Sequence, residues 1–296
     1  MKHKMRGVLF VILFTASLMA TIGCASQKER LETKTPEVHR EERGMFEWTE
    51  ETLENPESTK DLVEALNITR WYQELPEDFD DGQLSAFISY MSGLNVKVYA
   101  LAGSVEWGYE SDGDSLIQVL KDLAEYNESV DETCRIEGIM ADIEPYTSRK
   151  WEKDKEKHMG NYVMGMTKAY EYAQLNGLKM AVCIPRHYDD QGLESQLESL
   201  IAYACDEVAV MDYDCGNEVE KIETEAAYAL KYGKELHCIL EFQEVGKHGL
   251  VEEKTYRNKG IEAAWAAWKE VEDAYSQMDL VWDYHWTKPV GEMLKE

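Results

Sequence analysis

The chain has 296 residues, of which 58 are Asp or Glu and 31 Lys or Arg, giving a formal charge of −27 at neutral pH. That acid excess lacks the basic footprint a phosphate backbone requires, so nucleic acid is not an expected partner. Anionic polymers are disfavoured for the same reason, which leaves neutral or cationic ligands and a strongly solvated surface.

At the N-terminus Lys2, Lys4 and Arg6 precede an apolar stretch from Val8 to Ala20, which is followed by Thr21-Ile-Gly-Cys24. A stretch of that length reads as a secretory signal and is too short to span a bilayer. It resembles bacterial lipoprotein signals, in which a small residue precedes a cysteine that is lipidated and becomes the mature N-terminus. The resemblance implies a signal peptide over residues 1–23 and lipid attachment at Cys24. It also implies an exported protein anchored to the cell membrane on its extracytoplasmic side. Residues 24–44 are polar and charged without apolar period, the composition of a tether. The remaining segment, 45–296, is about the size of one (β/α)8 domain.

Along that segment, short apolar or β-branched runs alternate with helical patterns, which predicts repeated βα units around a parallel sheet. The predicted strands are Met45–Trp48, Ile68–Tyr72, Val96–Leu101, Ile136–Ile143, Lys179–Ile184, Glu207–Asp212, Leu236–Phe242 and Leu280–His285. Between them the 3.6-residue period predicts helices over Thr59–Leu66, Gly82–Ser92, Asp114–Tyr126, Tyr162–Asn176, Leu193–Ala204, Glu218–Tyr232 and Lys259–Tyr275. Two of these helices meet a glycine stop, at Asn176-Gly177 and Tyr232-Gly233. Eight strands in this order predict an α/β fold with a single closed (β/α)8 TIM barrel. No Gly-rich phosphate loop follows the first strand, which disfavours an open dinucleotide-binding sheet. Gly103 and Gly108 read as turn glycines. Trp265 and Trp268, three residues apart in the last long helix, read as core.

Five cysteines follow Cys24, and none has a metal-ligand spacing. Cys183 and Cys238 lie in strand-like runs and read as buried thiols. A disulfide among Cys134, Cys205 and Cys215 stays open for an exported protein. There is no His-Glu-x-x-His for zinc and no Gly-x-Ser-x-Gly for a serine hydrolase, so neither a metal nor a cofactor is expected.

In a barrel of this kind, catalytic groups come from the carboxyl ends of the strands. Those ends carry Glu47 with Trp48, Trp71 with Tyr72 and Glu74, Glu106 with Trp107, and Asp142 with Glu144. The second half supplies Arg186 with His187, Tyr213 with Asp214, Glu241 with Glu244, Asp283, and His285 with Trp286. Aromatic rings stack on the apolar faces of sugars while carboxylates take their hydroxyls, so the lining predicts a carbohydrate partner. Asp142 and Glu144, at i and i+2 of one strand, must project the same way, and two carboxylates side by side are costly unless they face a site. Glycosidic cleavage usually needs two carboxyl groups. Two arrangements supply them: Glu144 as acid/base facing Glu241 as nucleophile, or Asp142 assisting Glu144 while the substrate's N-acetyl group replaces the enzyme nucleophile.

The first arrangement resembles the clan A (β/α)8 glycoside hydrolases, whose fourth strand ends Asn-Glu-Pro. Here Ile143-Glu144-Pro145 keeps the glutamate and proline and lacks the asparagine. The second resembles the chitinase-like family 18 hydrolases, with DGxDxDxE on the fourth strand and MxYD on the sixth. Met211-Asp-Tyr-Asp214 matches the sixth-strand motif, whereas Met140 stands at the first aspartate of DxDxE. By this resemblance Asp142 orients an acetamido group, Glu144 protonates the leaving oxygen, and Tyr213 with Asp214 holds an N-acetyl sugar over Trp282 or Trp286. Asp142 to Pro145, Met211 to Tyr213, Glu241 and His285-Trp286 together are similar to bacterial exported glycosidase-like barrels. The expectation is a membrane-tethered glycosidase-like protein acting on a neutral or N-acetylated glycan. The alternative is a glycan-binding lipoprotein on a barrel that has lost its chemistry.

Overall fold

The computed structural model of the protein describes residues 42–76 and 79–295. Cys24 and the leader lie outside the described residues. Eight strands, β1 (Glu42–Glu47), β2 (Arg70–Glu74), β3 (Lys97–Ala102), β4 (Gly138–Ala141), β5 (Lys179–Pro185), β6 (Glu207–Met211), β7 (Glu235–Glu241) and β8 (Leu280–His285), alternate with helices. They pair in parallel in chain order, and β8 closes onto β1 with Met45 opposite Tyr284. The fold is a single (β/α)8 TIM barrel. Its helices are α1 (Glu51–Glu54), α2 (Lys60–Leu66), α3 (Asp81–Gly93), α4 (Asp114–Ser129), α5 (Lys155–Leu175), α6 (Glu194–Tyr203), α7 (Glu218–Lys221), α8 (Glu223–Tyr232), α9 (Ile261–Ala274) and α10 (Thr287–Met293).

The boundaries differ from the expected ones where side-chain period is a poor guide. β1 begins at Glu42, inside the segment read as tether, because Glu42 is held by Arg70. α5 begins at Lys155, seven residues before Tyr162: its first turns are charged and carry no apolar stripe, but the Asp154 carboxylate caps it by accepting from the Lys157 amide at 3.2 Å. The two predicted glycine stops hold, with Gly177 at φ 71° and Gly233 at φ 63°.

Alternation along the strands separates two cores. Outward residues such as Met45, Trp71, Val98, Ile139, Met180, Val208, Leu240 and Tyr284 pack beneath the helices. Inward residues Phe46, Tyr72, Tyr99, Leu101, Met140, Ala181, Cys183, Ala209 and Ile239 fill the barrel. Trp268 is fully buried and Trp265 packs at the edge of the outer core, as their spacing predicts.

Below the inner apolar tier, at the amino ends of the strands, lies an ionic cluster centred on Arg70, whose side chain is only 5% exposed. Its guanidinium reaches Glu42 at 2.8 Å, Glu207 at 3.0 Å and Glu235 at 2.5 Å. His237 lies between Asp283 at 2.8 Å and Glu207 at 3.2 Å, and the Tyr72 hydroxyl donates to Asp283 at 3.0 Å. Burial pulls the His237 pKa down, but the two carboxylates outweigh it and hold the ring up at about 9. Burial likewise opposes the charge on Glu207, which His237, Arg70 and Lys179 nevertheless pull down to about 2. Gly44 makes room for the cluster: a Cβ there would lie 2.1 Å from Asp283 Oδ1.

Candidate active site

The carboxyl ends of the strands open onto a mouth whose floor is the inner apolar tier, with Trp48, Met211 and Tyr213 packed against it. β4 ends at Ala141, and its alternation continues through the next residues, so Met140, Asp142 and Glu144 face inward while Ile139, Ala141 and Ile143 join the outer core. Two glycines set this segment by close approach. A Cβ on Gly103 would lie 1.7 Å from the Asp142 carbonyl oxygen, and one on Gly108 would lie 2.6 Å from the Pro145 ring. Neither has positive φ, so the expected turn role gives way to one of close packing.

Asp142 is partly exposed as a residue, but its Oδ1 is shut away from solvent and has no hydrogen-bond partner among the described residues. Burial and then the charge of Glu144 push its pKa up to about 7, against the opposing influence of His285 and the Cys183 thiol. Asp142 therefore keeps its proton to near neutral pH beside the Glu144 charge. Glu144 Oε1 accepts a short hydrogen bond from the Tyr146 hydroxyl. Burial and the Glu144 charge hold that phenol well above its ordinary range, so it remains a donor. Tyr146 in turn packs edge-on against His187, with ring centroids 5.2 Å apart.

Across the mouth, β7 ends in Glu241, 3% exposed. Its Oε1 accepts from the amides of Phe242 and Gln243, each at 2.7 Å. Its Oε2 accepts from Gln243 Nε2 at 3.0 Å and pairs with His285 Nδ1 at 3.0 Å. Burial opposes the charge, but His285 and the Gln243 donors more than compensate and hold the Glu241 pKa below its ordinary value. A carboxylate engaged in this way is a stabilised anion whose lone pairs are already occupied. His285 lies edge-on to Phe46 at 5.7 Å and to Trp48 at 6.0 Å, and beside Tyr213 at 5.9 Å. Burial, and then the charges of Glu241, Asp142 and Glu144, hold the Tyr213 phenol well above its ordinary range, so it remains a donor.

Arg186 donates to Asp214 at 2.7 Å, and Asp214 also accepts from Asn217 at 3.0 Å. Burial and the neighbouring Arg186 charge lower the His187 pKa. The indole nitrogens of Trp48 and Trp286 are buried and find no acceptor among the described residues. Glu47 is consumed locally, accepting from Thr49 and from Thr287 Oγ1 at 2.6 Å, which ties β1 to α10.

Some expected site residues are misplaced, and Trp282 is one: it lies in the outer core, stacked on Trp268 with ring centroids 5.4 Å apart, so it cannot floor a subsite. Trp71 points outward, fully buried against Phe87 of α3, and its indole donates to Gln73 at 3.0 Å, because β2 turns Tyr72 inward in its place. Asp283 faces inward but lies in the ionic cluster at the other end of the barrel, bonded to Tyr72 and His237 and closed to ligands. Glu106 stands on the rim with its side chain 74% exposed, 3.9 Å from Lys150, and Trp107 packs against the outer core. The five described cysteines are free thiols. Among the described residues, three metal-type donors converge at Glu207, Glu235 and His237, where Arg70 already neutralises both carboxylates. Tyr146 and Gln243 escaped the sequence reading; Tyr146 stands at the next same-parity position after Glu144 and was discoverable from that spacing.

No model of a known protein family matches the sequence, and no curated protein does. Among solved structures the barrel is similar to a chitinase from Chromobacterium violaceum, at 12% identity and TM-score 0.52 over 87% of this chain and 100% of that one. A D-psicose 3-epimerase from Clostridium cellulolyticum H10 scores 0.52 at 12% identity, over 86% of this chain and 89% of that one. A GH113 β-1,4-mannanase scores 0.50 at 12% identity, over 83% and 87%. At such identity the likeness shows the fold, which glycoside hydrolases share here with an epimerase.

Proposed function

We propose that the mouth binds a neutral or N-acetylated glycan and that Glu144 donates the proton that cleaves its glycosidic bond. The observation that carries this reading is the Asp142–Glu144 pair, in which Asp142 keeps its proton to near neutral pH beside Glu144 and its Oδ1 is left without a partner among the described residues. A general acid near neutrality is what glycosidic cleavage requires, and an unpaired buried acceptor costs stability unless a ligand donor meets it. Trp48, Tyr213 and Trp286 offer rings for sugar faces, and the two unpaired indole N–H groups offer donors to hydroxyl or acetamido oxygens. Arg186, His187 and Asp214 line the β5–β6 side as polar contacts. The chitinase and mannanase among the solved structures support carbohydrate chemistry on this fold. The leader pattern alone supports an extracytoplasmic protein anchored through a lipid on Cys24.

The test is reducing-end release from neutral oligosaccharides with and without N-acetyl groups, by the wild type and by Glu144→Gln. Loss of a general acid is expected to lower turnover by about 10²–10⁴-fold. Undiminished activity of Glu144→Gln on a glycan the wild type cleaves excludes Glu144 as the donor. Saturable binding without cleavage across the panel would establish the second reading, a glycan-binding protein, which Met140 in place of an acid favours.

A further inference from the structure

We infer that Glu241 and His285 form a base couple, in which His285 Nε2 takes the proton of the attacking water and Glu241 positions the ring, so that cleavage inverts the anomeric centre. The inference rests on the reading of the mouth as a glycan site with Glu144 as acid.

Four donors occupy the two oxygens of Glu241, two of them backbone amides fixed by the turn that follows β7. An attacking carboxylate must direct a lone pair at the anomeric carbon; this one directs its charge into the turn and onto an imidazole. With Nδ1 bonded to Glu241 at 3.0 Å, the ring is fixed in the tautomer that leaves its lone pair on Nε2. Nε2 has no hydrogen-bond partner among the described residues, and the His285 side chain is 18% exposed, enough for a water to reach it. The ring is held by Phe46, Trp48 and Tyr213, at the carboxyl end of the barrel that also carries the acid pair.

In the step, the water oxygen bonds to the anomeric carbon as the carbon–oxygen glycosidic bond breaks. One water proton passes to His285 Nε2, and the proton on Glu144 passes to the leaving oxygen. The enzyme is left with an imidazolium and a carboxylate, and one proton moves through solvent to restore it. A base on the face opposite the acid makes this an inverting displacement. His285 is the catalytic residue; Glu241 is a positioning residue.

The experiment uses oligosaccharides of N-acetylglucosamine, mannose, glucose and xylose, with the anomer of the first product read by proton NMR on the member cleaved fastest. Inversion is expected. Retention overturns the base couple while leaving Glu144 as acid intact, whereas full activity of Glu144→Gln overturns the parent reading whatever the anomer. His285→Ala should lose about 10²–10⁴-fold in kcat and abolish the acid limb of the pH profile. Glu241→Gln should retain measurable turnover with the acid limb still present, because the ring that takes the proton is intact. Complete loss in Glu241→Gln with an unmoved limb in His285→Ala would restore Glu241 as nucleophile and refute the couple. Nitrogen NMR of the full chain labelled at histidine gives an activity-free readout: a proton on Nε2 in place of Nδ1 near neutral pH refutes it as well.

Discussion

Asp142 has a titration that its neighbours determine. Burial and Glu144 both raise it, so Glu144→Gln, which removes the neighbouring charge, should lower its midpoint from about 7. Carbon NMR of labelled aspartate reads this directly, and an unmoved midpoint would mean that the Glu144 charge does not reach Asp142. The pair was legible in the sequence because spacing at i and i+2 beside an apolar run fixes a common face. Trp71 was not, since the choice between Trp71 and Tyr72 depends on which parity of β2 faces inward, and both residues are apolar enough for either side. The roles of Gly103 and Gly108 were hidden for a different reason. They depend on what crosses over them, the Asp142 carbonyl and the Pro145 ring, and those are contacts between loops distant in sequence.

The strands are cross-linked electrostatically by one arginine. Arg70 of β2 reaches Glu42 of β1, Glu207 of β6 and Glu235 of β7, so it spans the barrel interior and joins four strands. Arg70→Met leaves the buried Glu207 and the half-buried Glu235 without their cation and should destabilise the fold by about 3–5 kcal/mol. Urea denaturation measures this, and a loss below about 1 kcal/mol would show that the carboxylates find other partners. Strand order and number were readable from the alternation of apolar runs with helical patterns. The cluster itself was not, because Arg70, Glu207, Glu235 and His237 come from strands far apart in the chain and meet only after closure. The same circumstance drew Asp283 into the predicted site: it belongs to β8, but to the tier that faces the ionic end.

For the whole molecule, the buried acids predict where in pH the fold is most stable. Burial, in each case the leading cause, raises Asp142 to about 7 and Asp212 and Glu225 to about 8. The folded chain therefore binds their protons more tightly than the unfolded chain, and stability falls as pH rises from about 4 to 8. His237, held up at about 9 from 6.5, adds a loss between those two values. Glu207, held at about 2, loses its contribution as pH falls from 4.5. Thermal unfolding should thus peak near pH 4 to 5 and decline on both sides, with the double variant Asp212→Asn and Glu225→Gln flattening the alkaline limb. A midpoint that rises steadily from pH 5 to 9 would contradict these environments.

Between the two polar ends of the barrel lies the tier of Leu101, Met140, Ala181, Cys183, Ala209 and Ile239. It works as insulation: Arg70 and His237 balance their own acids below it, and the groups at the opening are left to tune one another above it. The two ends of this single bore can consequently change by mutation on separate schedules, the lower for durability and the upper for chemistry, without either dictating terms to the other.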